Sequence, residues 1–278
     1  MGRRASRAAV LAACAIGGVT AVAVAQQVLV TPGPNKLAYP AGYDKGVLYA
    51  TLDRWDNKQY REFWTSADVV KAAKEGRPIP DGAVITLAAY AAKLDADGKP
   101  LKDANGRFIK DKLLAVNPMM KKQGAADDIP ASIRNGDWIY QSFTPDGQVN
   151  DKANLTACYQ CHLPFAKDDY LTNLAKLAGK FPSDAKVAAA GPNDVSITNW
   201  VFGPGAVKIT AGQSVTWING DDSPHQITVV GADGKPGQRS ELMLKGQSAR
   251  LQFDAAGNIA YVCGLHPSMK GTIEVAAK

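Results

Sequence analysis

From residue 193 to the end, apolar and polar positions alternate in short runs that recur about every ten residues: Val195–Trp200, Ala206–Ile209, Ser214–Asn219, Gln226–Val230, Ser248–Phe253, Ile259–Cys263 and Gly271–Val275. Turn pairs such as Asp233-Gly234 and Ala256-Gly257 separate them. A period of two puts alternate side chains on opposite faces, so this stretch predicts an all-β sandwich of Greek-key type. The upstream pattern is more mixed. A short helix is predicted after Ser66, through Val69, Val70, Ala72 and Ala73, with Gly76 ending it. Strands are predicted over Ala83–Tyr90, Lys112–Val116 and Trp138–Phe143, with turns at Asp97-Gly98 and Asn105-Gly106. Residues 37–64 carry aromatic residues and turn signals without a clear period. The fold class expected is mainly β: an antiparallel β unit with a few helices, then a Greek-key β-sandwich. No internal repeat is visible.

Length changes the picture first. A chain of 278 residues is long for one core and suggests about two domains. Ala178-Gly179, Phe181-Pro182 and Gly191-Pro192 mark a linker, giving domains over 26–180 and 193–278 with the linker at 181–192. Residues 1–25 read as a cleaved signal peptide: a basic start, an apolar run from Ala8 to Val24, and Ala23-Val24-Ala25 before Gln26. Leu11-Ala12-Ala13-Cys14 resembles a lipoprotein box, but the apolar run continues well past Cys14, so export to the periplasm with cleavage is the expectation. The formal charge of +6 falls to +3 once Arg3, Arg4 and Arg7 leave, and nothing argues for nucleic acid.

The cysteines and histidines are few, and they cluster. Beyond Cys14 there are Cys158, Cys161 and Cys263, with His162, His225 and His266. They fall into two motifs with none left over for a disulfide, and unpaired thiols in an exported protein need some chemistry to occupy them. Cys158-Tyr159-Gln160-Cys161-His162 is the c-type haem attachment signature. Two thiols add to the vinyl groups on one edge of the macrocycle, and the adjacent His turns under the iron as axial ligand. One covalent haem c is therefore expected. The second axial position stays open between no protein ligand and Met119 or Met120, since this part of the chain has no other His.

Over about residues 37–175 the chain resembles the cytochrome P-460 family and its relative cytochrome c′-beta. The resemblance rests on Tyr39-Pro40-Ala41-Gly42-Tyr43, on Pro80–Ile85, on Gly136-Asp137-Trp138, and on Cys158–His162 followed by Ala166-Lys167-Asp168-Asp169-Tyr170. It implies an antiparallel β fold and an iron face open to small nitrogen-oxide ligands, and it leaves open a dimer of haem domains. Cytochromes P-460 cross-link a Lys to the haem, and alignment from Asp81-Gly82 puts Leu87 there. That departure favours cytochrome c′-beta and puts hydroxylamine oxidation in doubt. The four-helix cytochrome c′ is the runner-up fold, disfavoured by the Asp-Gly and Asn-Gly turns.

Cys263-Gly264-Leu265-His266-Pro267-Ser268-Met269 supplies a thiolate, an imidazole and a thioether from one loop, and His225 supplies a second imidazole. Two His and one Cys with a weak axial Met define a type-1 copper site for electron transfer. A binuclear copper centre would need a second Cys in the loop. Over about residues 193–278 the chain resembles the cupredoxins, through Phe202-Gly203-Pro204, Gly212–Trp217, Pro224-His225 and Gly271–Val275. The short spacing from His266 to Met269 is nearer the amicyanin loop than the plastocyanin one. Gln226 stands where many relatives have Asn, so hydrogen bonding around the ligands is expected to differ.

The leading functional expectation is electron transfer between the haem, the copper and other redox proteins such as a cytochrome or an oxidase. A haem oxidoreductase acting on hydroxylamine or nitric oxide, with copper as relay, is the enzyme alternative. A nitric oxide sensor is the binding-module alternative. Catalytic residues, direction of flow, reduction potentials and oligomeric state are not legible from the sequence.

Overall fold

The computed structural model of the protein describes residues 29–33, 36–180 and 191–278. Residues 1–25, expected from the sequence to be a signal peptide and including Cys14, and most of the expected 181–192 linker lie outside the described residues. Five strands, β1 (Val47–Arg54), β2 (Gln59–Thr65), β3 (Val84–Ala92), β4 (Lys110–Lys121) and β5 (Trp138–Tyr140), form an antiparallel meander in chain order. Helix α1 (Ala67–Lys74) follows Ser66 as expected, while α2 (Leu155–His162) and α3 (Leu174–Leu177) come after the sheet. One core gathers Ile85, Met119 and Trp138 from the sheet with Val69 of α1, Tyr159 of α2 and Leu177 of α3. A sheet with helices against it excludes the four-helix alternative.

Strands β1 and β2 were hidden in the sequence. A bulge between Leu48 and Ala50 shifts the alternation of β1, and both strands are half-buried, so no period of two stands out. The turns at Asp97-Gly98 and Asn105-Gly106 form, with Gly98 and Gly106 at positive φ. In each, an Asp carboxylate (Asp95, then Asp103) accepts two backbone N–H groups, from the residues two and four positions later, at 2.8–3.0 Å. The two turns are built alike, a small local repeat in a chain that shows none at larger scale.

The remaining strands make a sandwich of two sheets around a second core. They are β6 (Asp194–Thr198), β7 (Val201–Gly203), β8 (Ala206–Thr210), β9 (Gln213–Asn219), β10 (Ile227–Val230), β11 (Pro236–Arg239), β12 (Ser248–Phe253), β13 (Gly257–Cys263) and β14 (Lys270–Ala276). One sheet runs β11-β10-β13-β14-β8 and the other β12-β9-β6-β7, with parallel pairs β14/β8 and β6/β9. Trp217, Ile227, Tyr261 and Ile273 are fully buried between them.

The predicted strand Val195–Trp200 ends early. Asn199 and Trp200 both take positive φ (55° and 59°), and the chain doubles back so that Thr198 pairs with Val201. Two consecutive left-handed residues are what a tight hairpin needs. Asn tolerates that conformation; for a bulky Trp it is a strained outlier costing on the order of 1–3 kcal/mol.

The two cores meet along the β1–β2 hairpin. Leu52 packs against the second core, the Arg54 guanidinium lies 5.2 Å from the centre of the Trp200 ring, and Ser268 donates to Asp56. Lys176 pairs with Asp222 at 2.8 Å on another side of the contact.

Candidate metal centres

Strand β13 ends at Cys263 because the chain must turn: Gly264 N–H donates to Gln226 O at 2.7 Å, and His266 N–H to Cys263 O at 3.2 Å. Met269 closes the loop, its N–H donating to His266 O (2.9 Å) and its own O accepting from Cys263 N–H (3.1 Å). His225 stands two residues before the start of β10, whose Ile227 pairs with Cys263, so sheet register carries the distant imidazole to the loop. The Cys263 Sγ lies 3.5 Å from His225 Nδ1 and 3.5 Å from His266 Nδ1. His225, Cys263 and His266 are the group among the described residues whose His, Cys or carboxylate donor atoms converge for a metal, all within 4.8 Å of one another. Met269 is 2% exposed in the same core.

The surroundings set the charge states. His225 Nε2–H donates to the Asp221 carboxylate at 3.0 Å, which leaves Nδ1 as the free donor facing the sulfur. Burial pulls the His225 pKa down, but the hydrogen bonds to Asp221 and Cys263 outweigh it and the net shift is upward. For Cys263, burial disfavours the thiolate, and His225 and nearby backbone N–H groups more than offset that, so its pKa is lowered. His266 is driven down to about 2 by burial first, then by His225, Arg54 and Arg61. A thiolate with two imidazole nitrogens converging on one point is the donor set a soft, redox-active ion takes, so the residues fit copper. Gln226 also shows its departure: its side chain donates to Ser240 O at 3.1 Å, not to the ligand loop.

The haem-attachment motif lies on α2, whose Asn154 cap accepts from Ala157 N–H at 3.3 Å. One helical turn presents Cys158, Cys161 and His162 to a single cavity of about 350 Å³. His162 Nδ1–H donates to Tyr170 O at 2.7 Å, leaving Nε2 unprotonated. Asp169 and Tyr170, at φ 52° and 59°, turn the chain so that this carbonyl faces the ring. Burial lowers the His162 pKa and, as free thiols, pushes Cys158 up to about 11 and Cys161 up to about 12. An unprotonated nitrogen and two thiols on one helix face fit a covalently held haem.

The sheet supplies the opposite wall. Phe63 pairs in register with Leu87, and Leu87 with Asn117, so these side chains share a face, with Arg61 one pair along. Arg61 and Asn117 beside Phe63 and Leu87 make that wall mixed in polarity. Met119 lines the cavity, whereas Met120 packs into the core without lining it. No Asp or Glu is among the described residues that line it.

The copper-type loop closes the same cavity. Trp200, Leu265 and His266 line it together with Cys158, Cys161 and His162. Cys263 lies close enough to Cys161 to contribute to raising its pKa. Sequence reasoning missed Arg54, Arg61, Trp200, Asp221 and the Tyr170 carbonyl. None carries a motif of its own, although Asp169-Tyr170 sits inside the stretch that bore the family resemblance.

Comparison with known proteins agrees with both halves. The Cytochrome P460 family model matches residues 40–172, and that of copper binding proteins of the plastocyanin/azurin family matches 189–276. Amicyanin of Paracoccus versutus is 34% identical over 99 residues, 35% of this chain and 70% of that protein. Plastocyanin of Scenedesmus fuscus is 38% identical over 84 residues, 27% of this chain and 86% of that protein. Among solved structures, the crystal structure of amicyanin from Paracoccus versutus is similar at 29% identity over 35% of this chain and 86% of its own, with a TM-score of 0.28.

Proposed function

Because the chain belongs to the Cytochrome P460 family over residues 40–172 and to the plastocyanin/azurin family of copper-binding proteins over residues 189–276, we propose that it is an exported two-centre redox protein that passes electrons between one covalent haem c and one type-1 copper. The observation that carries this reading is the shared cavity. His266 of the copper loop and Cys161 and His162 of the haem helix line the same space, so the two centres would face each other across one cavity. When bound, haem iron and copper would each supply a one-electron redox couple.

The chain's own residues do the rest. Cys158 and Cys161 hold the haem edge, and His162, fixed by the Tyr170 carbonyl, offers Nε2 to the iron. His225, Cys263 and His266, with the Met269 thioether buried in the same core, would hold copper. The sandwich restrains this set, since Cys263 and His225 are fully buried and held by β10 and β13. Little rearrangement on change of charge is what fast electron transfer requires.

Leu87 has no nucleophilic atom for a third link to the haem, and among the described residues the strands facing α2 put no imidazole or carboxylate into the cavity. That supports an iron face open to small nitrogen-oxide ligands, and it weighs against proton-coupled oxidation of hydroxylamine, which needs a base within hydrogen-bond reach. The test is the spectrum of the ferrous protein before and after nitric oxide, with intact mass and peptide mapping. One haem on two cysteines with a nitric oxide-responsive spectrum is the expected result. A haem peptide linked also through a lysine, or a six-coordinate spectrum that ignores nitric oxide, overturns the reading of the haem site.

A further inference from the structure

Trp200 occupies a conformation its side chain disfavours, which calls for a reason at that position. The indole is 4% exposed, and its Nε1–H is buried without a hydrogen-bond partner among the described residues. The ring meets both imidazoles of the copper set edge-on, with centroids 6.0 Å from His225 and 6.1 Å from His266 at interplanar angles of 71° and 73°. It also contacts the Arg54 guanidinium, 5.2 Å from the ring centre, and lines the cavity that His266, Cys161 and His162 share.

One carboxylate secures this placement. Asp221 accepts the backbone N–H of Asn199 at 2.6 Å and of Trp200 at 2.9 Å, and the same group accepts His225 Nε2–H at 3.0 Å. Asp221 is itself 8% exposed, and its own N–H donates to Asn219 Oδ1 at 2.8 Å. The left-handed turn that presents the indole and the orientation of a metal-binding imidazole are therefore fixed by a single buried group. A hairpin of this kind would take Asn-Gly at no cost; here the second position holds the largest side chain available.

We propose that Trp200 is the contact through which the copper ligands are electronically coupled to the haem pocket, and that Asp221 is the positioning residue that holds it there. This rests on the reading of the protein as a haem–copper electron carrier. One electron moves between the two centres, one being oxidised as the other is reduced, and no bond forms or breaks; the indole carries the coupling and is not consumed. Its aromatic system packs beside the imidazole pair at the wall of the cavity, which His266 also lines, with polarisable contacts where an aliphatic side chain would leave weaker ones.

The experiment uses the full-length protein loaded with haem and copper. Photo-triggered reduction of one centre is followed optically at both, in wild type, Trp200→Phe, Trp200→Leu and Asp221→Asn. The expected result is an intrachain rate lowered about tenfold or more by Trp200→Leu and less by Trp200→Phe, a size in keeping with the loss of one well-placed group. The visible copper band and both reduction potentials should stay close to wild type in the Trp200 variants, which a merely structural role for the residue would not predict. If Trp200→Leu does not fold, Trp200→Phe and Asp221→Asn carry the comparison.

A second readout needs no copper. In the copper-free, haem-loaded protein, the Trp200 indole N–H resonance should be displaced by ferric haem, and Asp221→Asn should move it. Unchanged rates in every variant overturn the role of Trp200 while leaving the carrier reading intact. Wild type that shows no intrachain transfer overturns both.

Discussion

At Cys263 and His225 two physical effects oppose each other, and the geometry decides between them. Burial alone would keep the thiol protonated and the imidazole neutral; the hydrogen bonds joining Cys263, His225 and Asp221 tip the balance toward thiolate. Cys263→Ser should therefore remove the intense thiolate-to-copper visible band and leave haem absorption unchanged, as read by absorption spectroscopy of the two proteins side by side. A blue Cys263→Ser protein would contradict the ligand set. Met269→Leu should keep the colour and raise the copper reduction potential, because loss of a weak donor disfavours copper(II). These donors were legible in the sequence because thiolate, imidazole and thioether fall within seven residues of one loop. Asp221, Trp200 and Arg61 were not, because their roles exist only once separate strands and both cores are brought together.

Among the elements, β13 and β14 show how closely the copper loop is packed. Gly271 pairs with Tyr261, and a Cβ at Gly271 would lie 2.3 Å from the buried Tyr261 ring. Gly271→Ala should thus destabilise the copper-free protein by about 1–3 kcal/mol, measured by denaturant unfolding. Wild-type stability in that variant would mean that the ring has room to move. The sandwich strands were readable because alternation is clean where one face is buried and the other wet, as in β14. Strands β1 and β2 were not, since the β1 bulge and their half-burial erase the period. The break after Thr198 was equally hidden: Trp at a left-handed position runs against turn chemistry, so no sequence rule points to it.

For the whole molecule, the contact between the two cores is partly electrostatic. Lys176 and Lys245 both pair with Asp222, at 2.8 and 2.9 Å. Burial raises the Asp222 pKa, but the two lysines outweigh it and the net shift is downward. A carboxylate depressed in the folded state stabilises it above the unfolded pKa, and that contribution is lost as pH falls through the lower folded value. The contact should therefore hold at neutral pH and weaken only in strong acid, and Asp222→Asn should remove that acid-dependent part, as followed by thermal unfolding against pH. An Asp222→Asn protein with the wild-type acid profile would show that the pair adds nothing. Each core is built from its own sheets, so residues 192–278 expressed alone should fold, bind copper and turn blue. An unfolded fragment, with copper supplied, would mean that the sandwich depends on the haem-side contacts of Leu52 and Arg54.

Exchange of electrons between haem and copper within one chain, across the cavity that His266, Cys161 and His162 line, is tested most directly by triggering reduction of one centre in the fully loaded wild-type protein and following the other over a range of protein concentrations. A first-order approach to equilibrium whose rate does not depend on concentration is the expected result. A rate that rises in proportion to concentration, or no transfer at all, would contradict it.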